Sequence, residues 1–255
     1  EAPGAAAAAR TVQRSSKEVE IDLHALAEAG YLVPTAVRSD LALDFRYIKR
    51  ALLKNAAEQA QQTARRSSLI MVTSALPGEG KTFCSINLAM SIAMEVDTSV
   101  LLVDADVVRP SVSERLGIPA EKGLLDVLCD PQLDLADVML RTNVPKLSVL
   151  PAGTPNLRST ELLASGAMEK LLADLATRYS DRVVVFDAPP LLLTAESRVL
   201  ASRVGQVLIV VDSTKTTAAD VEQAFATVES VASVSSILNK SSSTGDYRGY
   251  DAYAA

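Results

Sequence analysis

The chain has 255 residues, 48% of them hydrophobic and 22% charged, enough to bury one α/β core plus an N-terminal extension. Its net charge of −6 supplies no global basic field for nucleic acid, and no apolar run approaches the roughly 20 residues that span a bilayer. Residues 5–9 are too short and too weakly apolar for the core of a signal peptide. Cys84 and Cys129 lie in apolar segments and read as buried free thiols of a reducing cytoplasm, not as a disulfide or a metal pair.

Residues 1 to 17 are Ala-, Ser- and Arg-containing low complexity, a composition that predicts disorder. Residues 18–30 (EVEIDLHALAEAG) predict a short helix ended by Gly30, followed by an extended YLVP. His24 stands there without a companion Ser, Cys or metal set, which fits a surface or packing role. Residues 39–62 predict a long amphipathic helix, with Leu41, Phe45, Ile48 and Leu52 at three- and four-residue steps. Arg46, Lys49 and Arg50 fall between them, as either a solvated basic face or a partner-binding surface.

The most informative stretch is residues 74–82, Ser-Ala-Leu-Pro-Gly-Glu-Gly-Lys-Thr. It follows a short apolar run at 69–72 and precedes a helical pattern at 83–94. Strand, then A-x-x-x-x-G-K-T, then helix is the context of a P-loop. Gly78 and Gly80 let backbone N–H groups turn toward phosphate oxygens, and the new helix begins where its dipole favours an anion. Lys81 is placed to reach the β- and γ-phosphates and the Thr82 hydroxyl to ligate Mg²⁺. The competing reading is a Gly/Pro turn that happens to precede a helix. Pro77, Gly78, Glu79, Gly80, Lys81, Thr82 and Phe83 are therefore the expected nucleotide-contacting set.

Beyond the P-loop, short branched-rich runs at 99–103, 147–150, 183–186 and 207–211 suit strands buried on both faces. Helical patterns at 110–116, 123–128, 160–178, 195–203 and 217–231 alternate with them. This alternation predicts right-handed crossovers and an α/β fold with a doubly wound, mostly parallel sheet. The expected division is a low-complexity start and helical extension over 1–38, a P-loop domain over 39–240 and a flexible tail over 241–255. Two strands end in aspartates: 99–103 runs into Asp104 and Asp106, and 183–186 into Asp187. An aspartate at a strand tip beside a P-loop is placed to hold Mg²⁺, or else is a turn former or helix N-cap.

A P-loop followed by hydrophobic-DxD and hydrophobic-DxxP strands resembles the motif set of bacterial tyrosine kinases, P-loop enzymes related to the MinD/ParA ATPases. Residues 77–82, 87–89, 123–126, 150–153, 161–163 and 238–240 are also similar to that family, and the resemblance runs from about residue 40 to the C-terminus. The N-terminal text, IDLHALAEAGYLVP and FRYIKRALLKNA, resembles the subset encoded with exosortase-linked exopolysaccharide loci. The resemblance implies an ATP- and Mg²⁺-dependent protein-tyrosine autokinase that regulates exopolysaccharide biosynthesis or export. It further implies Lys81 and Asp104 as catalytic groups, Asp104 being the base, with Asp106 and Asp187 beside Thr82 on Mg²⁺. A homo-oligomer, and a membrane-embedded chain-length determinant or activator on a separate chain, are implied too. The kinase would then be cytoplasmic and peripheral to the inner membrane. The chain departs from the family at three places. Leu76 stands where MinD-like ATPases carry a second lysine, which favours the kinase branch. Val108 stands where DxDxR has its arginine, leaving open whether Arg109 replaces it. Leu43, Arg46 and Lys49 stand where the oligomerisation helix carries E-x-x-R-x-x-R.

Three of the six tyrosines, Tyr247, Tyr250 and Tyr253, fall in the last nine residues, within a Ser/Gly/Asp-rich segment with no apolar period. The resemblance gives them a role as phosphate acceptors. The alternative is a MinD/ParA-like ATPase switch that phosphorylates no protein.

Overall fold

A computed structural model describes residues 16–36, 38–62, 66–178 and 182–241. In chain order the first elements are β1 (Lys17–Val19), α1 (Leu23–Glu28), α2 (Asp40–Gln62), β2 (Leu69–Ser74), α3 (Lys81–Ala93) and β3 (Ser99–Asp104). Next come α4 (Val112–Leu116), α5 (Leu124–Cys129), α6 (Leu135–Val138), β4 (Leu140–Thr142), β5 (Leu147–Leu150), α7 (Ser159–Ala164) and α8 (Gly166–Arg178). The last are β6 (Arg182–Asp187), α9 (Ala195–Ala201), β7 (Gln206–Asp212), α10 (Ala218–Thr227) and β8 (Ser233–Asn239).

The strands form one sheet in the order β1-β4-β5-β3-β6-β2-β7-β8, parallel except between β4 and β5. Alternation of side chains across each central strand builds two cores. Leu69, Met71, Leu101, Val103 and Phe186 face a layer that includes α5, α7, α8 and α9. Ile70, Val72, Leu102 and Val185 face α2, α3 and the N-terminal segment. Burial on both faces is why these strands read as continuous apolar runs. The α3 helix, covered in turn by α2, is buried almost all round.

The expected α/β, mostly parallel architecture is present, with several local corrections. Residues 18–30 are not one helix: Lys17–Val19 pair in parallel with β4, and only Leu23–Glu28 are helical. Asp22 caps that helix by accepting the N–H groups of His24 and Ala25. The single helix expected over 160–178 is two, broken at Ser165, whose hydroxyl bonds back to the Leu162 carbonyl. Lys49 does not belong to a solvated face. It is buried where α2 packs on α3, donating to the Ser91 carbonyl at 2.9 Å and paired with Glu95 at 2.6 Å. Cys84 is buried as expected, but Cys129 is exposed at the end of α5. The low-complexity start (residues 1–15) and the tail from 242 onward, with the disorder expected of them, lie outside the described residues.

Candidate active site

The P-loop joins the C-terminal end of β2 to the start of α3, at the sheet edge where parallel α/β folds bind ligands. Gly78 and Gly80 take φ of 81° and 98°, left-handed values that a side chain would oppose. At Gly80 a Cβ would also lie 2.1 Å from Asn239 Nδ2, so it would push that amide off the Glu79 carbonyl. No side chain caps the start of α3 at Gly80. The first amides of that helix therefore offer their N–H groups and the positive end of its dipole to an anion.

Strand order sets the carboxylates around this loop. β6 lies between β2 and β3, and Asp187 is in register with Val72 on one side and Asp104 on the other. Thr82 Oγ1 donates to Asp187 Oδ2 at 2.7 Å, and Ser85 Oγ, one helical turn on, donates to Oδ1 at 3.0 Å. Lys81 Nζ donates to Asp106 Oδ2 at 2.6 Å, and the Arg109 backbone N–H donates to Asp106 Oδ1 at 3.0 Å. Asp104 Oδ2 accepts the N–H groups of Ser111 and Val112 at the start of α4, both at 3.0 Å. Its Oδ1 is buried without a hydrogen-bond partner. Asp104 is thus neither a local turn former nor the N-cap of α4, which is Ser111. One of its oxygens holds the first amides of that helix from seven and eight positions away.

Burial, with the charge of Asp187 as the second cause, pushes the Asp104 carboxyl up to about 7. Burial also raises Asp187, although Lys81, Thr82 and Ser85 pull the other way. Cys84, beside them on α3, is driven up to about 12 by burial and then by Asp187, so its thiol stays protonated and inert.

Of the residues expected from sequence, Lys81 meets Asp106 and Thr82 meets Asp187, while Asp104 borders Asp187 across the β3–β6 ladder. Glu79 turns away from the loop's mouth and is buried against Thr216 and Asp212. Phe83 packs into the second core against Tyr31, ring centroids 5.1 Å apart. Tyr247, Tyr250 and Tyr253 lie outside the described residues. Sequence reasoning missed Ser85 and Ser111, whose hydroxyls meet Asp187 and Thr82. Ser85 was findable, since it sits four positions after Lys81 on one helix face. Ser111 carries no such signal.

The donor set suits a magnesium nucleotide: a flexed glycine loop, one ammonium, one helix-start hydroxyl and carboxylates at neighbouring strand ends. Among the described residues no three His, Cys, Asp or Glu side chains converge as a metal cage. Mg²⁺ bound with a nucleotide needs only one or two carboxylates beside phosphate and water.

Residues 67–241 match the AAA domain family. Over 169 residues the chain is 33% identical to tyrosine-protein kinase YwqD of Bacillus subtilis, covering 65% of this chain and 70% of YwqD. The chain belongs to the bacterial tyrosine-protein kinases, built on an AAA domain. The kinase is also 30% identical to tyrosine-protein kinase ptk of Acinetobacter johnsonii, over 63% of this chain but 21% of ptk. Among solved structures, the kinase domain of Escherichia coli tyrosine kinase ETK superposes with a TM-score of 0.63 at 26% identity. That match covers 78% of this kinase and 79% of the ETK domain. Among the described residues, no helix is long and apolar enough to cross a membrane.

Proposed function

We propose that this kinase transfers the γ-phosphoryl group of Mg-ATP to Tyr247, Tyr250 and Tyr253, between subunits, and thereby regulates exopolysaccharide polymerisation or export. The observation that carries the proposal is the geometry of Asp104: a buried carboxylate beside the P-loop with one oxygen held by the α4 amides and the other, Oδ1, without a hydrogen-bond partner. A phenol with an ordinary pKa near 10 is a poor nucleophile at pH 7, so a base must take its proton as the oxygen attacks. Asp104 fits that role because its free Oδ1 can accept a proton while Oδ2 stays on the α4 amides. In the transfer, the bond from the tyrosine oxygen to phosphorus forms and the bond to the ADP oxygen breaks. The phenolic proton passes to Asp104. Lys81 and the amides of 78–82 steady the charge of the transferring group. Thr82, Asp106 and Asp187 would hold Mg²⁺, which supplies charge neutralisation across the phosphates.

Resemblance supports the remaining parts of the proposal: a homo-oligomer held at the inner membrane by a membrane-embedded activator on a separate chain. Phosphorylated tyrosines gain about −1.5 to −2 charges each, so a modified tail is repelled from the acidic site it served, which favours release between subunits. Intact-mass measurement after incubation with Mg-ATP tests the proposal. Successive additions of phosphate, absent from Lys81→Met, support it. ATP hydrolysis with no added phosphate, activator present, would assign the ATPase-switch alternative instead.

A further inference from the structure

Two consecutive P-loop carbonyls are tied to the end of the edge strand β8. The Asn239 amide Nδ2 donates to the Glu79 carbonyl at 2.8 Å, and Lys240 Nζ donates to the Gly78 carbonyl at 2.7 Å. Lys240 also pairs with Asp212 Oδ2 at 2.6 Å, at the end of β7. It is held in a left-handed conformation, φ 58°, which is costly for a residue with a side chain. That bond to Lys240, together with those from Thr214, keeps the buried Asp212 carboxyl well below the usual range. Glu79 completes the set. Its carboxylate accepts the Leu76 N–H at 2.6 Å, the Asp212 N–H at 3.4 Å and the Thr216 hydroxyl.

In a planar trans peptide, the C=O and the following N–H point in opposite directions. Drawing the Gly78 and Glu79 carbonyls toward β8 therefore turns the Glu79 and Gly80 N–H groups the other way, toward the hollow of the loop. Those are the amides a P-loop presents to phosphate oxygens. We infer that Asn239, Lys240 and Glu79 are positioning residues that set the P-loop amides for a nucleoside di- or triphosphate before it arrives. The inference rests on the nucleotide-site reading above. Pre-set donors lower the cost of ordering on binding, so the effect belongs in nucleotide affinity more than in turnover at saturation.

The test uses four variants of the full chain. Asn239→Asp removes the donor at constant shape. Lys240→Met removes the amine, Lys240→Met with Asp212→Asn removes it without stranding a buried charge, and Lys240→Arg keeps a cation able to bond both partners. Calorimetric titration of Mg-ADP should show about ten-fold weaker binding for the first three, and near-normal binding for Lys240→Arg. The KM for ATP should rise in parallel, while kcat at saturating ATP stays within about three-fold. Melting of the nucleotide-free double variant should stay close to wild type. Wild-type affinity in folded variants would overturn the inference, as would a fall in kcat at unchanged KM. Failure of Asn239→Asp and the double variant alike to fold would assign these residues to structure alone and overturn it too. Absence of ADP binding by the wild-type protein would instead remove the nucleotide-site reading itself, and the inference with it.

Discussion

The Lys81 ammonium lies 2.6 Å from Asp106 Oδ2, so the cation that a P-loop turns toward phosphate is held by a carboxylate of the neighbouring DxD strand end. Both side chains are largely withdrawn from water, which strengthens the attraction. Nucleotide must therefore compete with Asp106 for Lys81, unless Mg²⁺ draws Asp106 away. Asp106→Asn should bind ADP in EDTA about five-fold more tightly than wild type, because the competing charge is gone. With Mg²⁺ present the same variant should bind more weakly than wild type and lose phosphotransfer. Titrations with and without Mg²⁺ check the inversion, and a variant that weakens both equally would remove the competition.

Lys81→Met and Asp187→Asn address the other side of the site. Lys81→Met removes the charge that steadies the transferring group, and Asp187→Asn weakens the carboxylate that receives Thr82 and Ser85. Autophosphorylation should fall by orders of magnitude in both. Asp187→Asn should stay folded, since burial already disfavours the Asp187 charge. Lys81→Met, which leaves the buried Asp106 without its cation, should be less stable but still folded. Phosphate incorporation and circular dichroism check this, and wild-type incorporation in either variant would contradict the site.

Asp104 makes a prediction with two signs. Its folded carboxyl titrates at about 7 and an unfolded aspartate near 3.9, so between those values the folded protein binds the extra proton. This group's contribution to stability accordingly falls as pH rises from about 4 to about 7. Asp104→Asn removes that penalty and should stabilise the protein at pH 8 by on the order of 2 kcal/mol. That is about half the full linkage value, because an amide oxygen accepts the Ser111 and Val112 N–H groups less strongly. As the base, Asp104 must be ionised, so kcat/KM for transfer should climb about ten-fold from pH 6 to pH 8. Asp104→Asn should abolish that climb while leaving Mg-ADP affinity largely intact. Thermal melts across pH and a pH–rate profile check the two signs. A destabilised variant, or one with the wild-type pH profile, would remove the base.

The centre of the fold was legible because its signals are local. The P-loop is one contiguous motif, and the runs that became β2, β3, β5, β6 and β7 are apolar but for Ser99 and Ser148, as burial on both faces requires. The edges were not. β1 and β4 are three residues each, and β8 (SVSSILN) is serine-rich and only half covered, so neither length nor period marks them. Asp104 and Asp187 were visible as strand-end carboxylates, yet only register shows them on adjacent strands. Residues joined by long-range packing left no trace in the sequence. Lys49 meets Glu95 only because α2 lies on α3, and Asn239 meets a loop 160 positions earlier only because β8 joins the sheet beside β7.

Replacing Tyr247, Tyr250 and Tyr253 together with Phe deletes three hydroxyls and leaves the P-loop and its carboxylates untouched. Stability should change by less than about 0.5 kcal/mol. The triple variant should bind and slowly hydrolyse ATP, yet take up almost no phosphate. Under the proposed transfer between subunits, the triple variant mixed with Lys81→Met should phosphorylate the intact tail of that partner. No phosphate on Lys81→Met in the mixture, while the wild-type protein alone is phosphorylated, would contradict transfer between subunits.

Peptide mapping of the wild-type protein after incubation with Mg-ATP, activator present, tests the central claim most directly. Phosphate should lie on Tyr247, Tyr250 and Tyr253 and be absent when Lys81 is Met. Phosphate mainly on Tyr31, Tyr47 or Tyr179 would contradict the tail as acceptor, and none on any tyrosine while ATP is hydrolysed would contradict the autokinase and favour an ATPase switch.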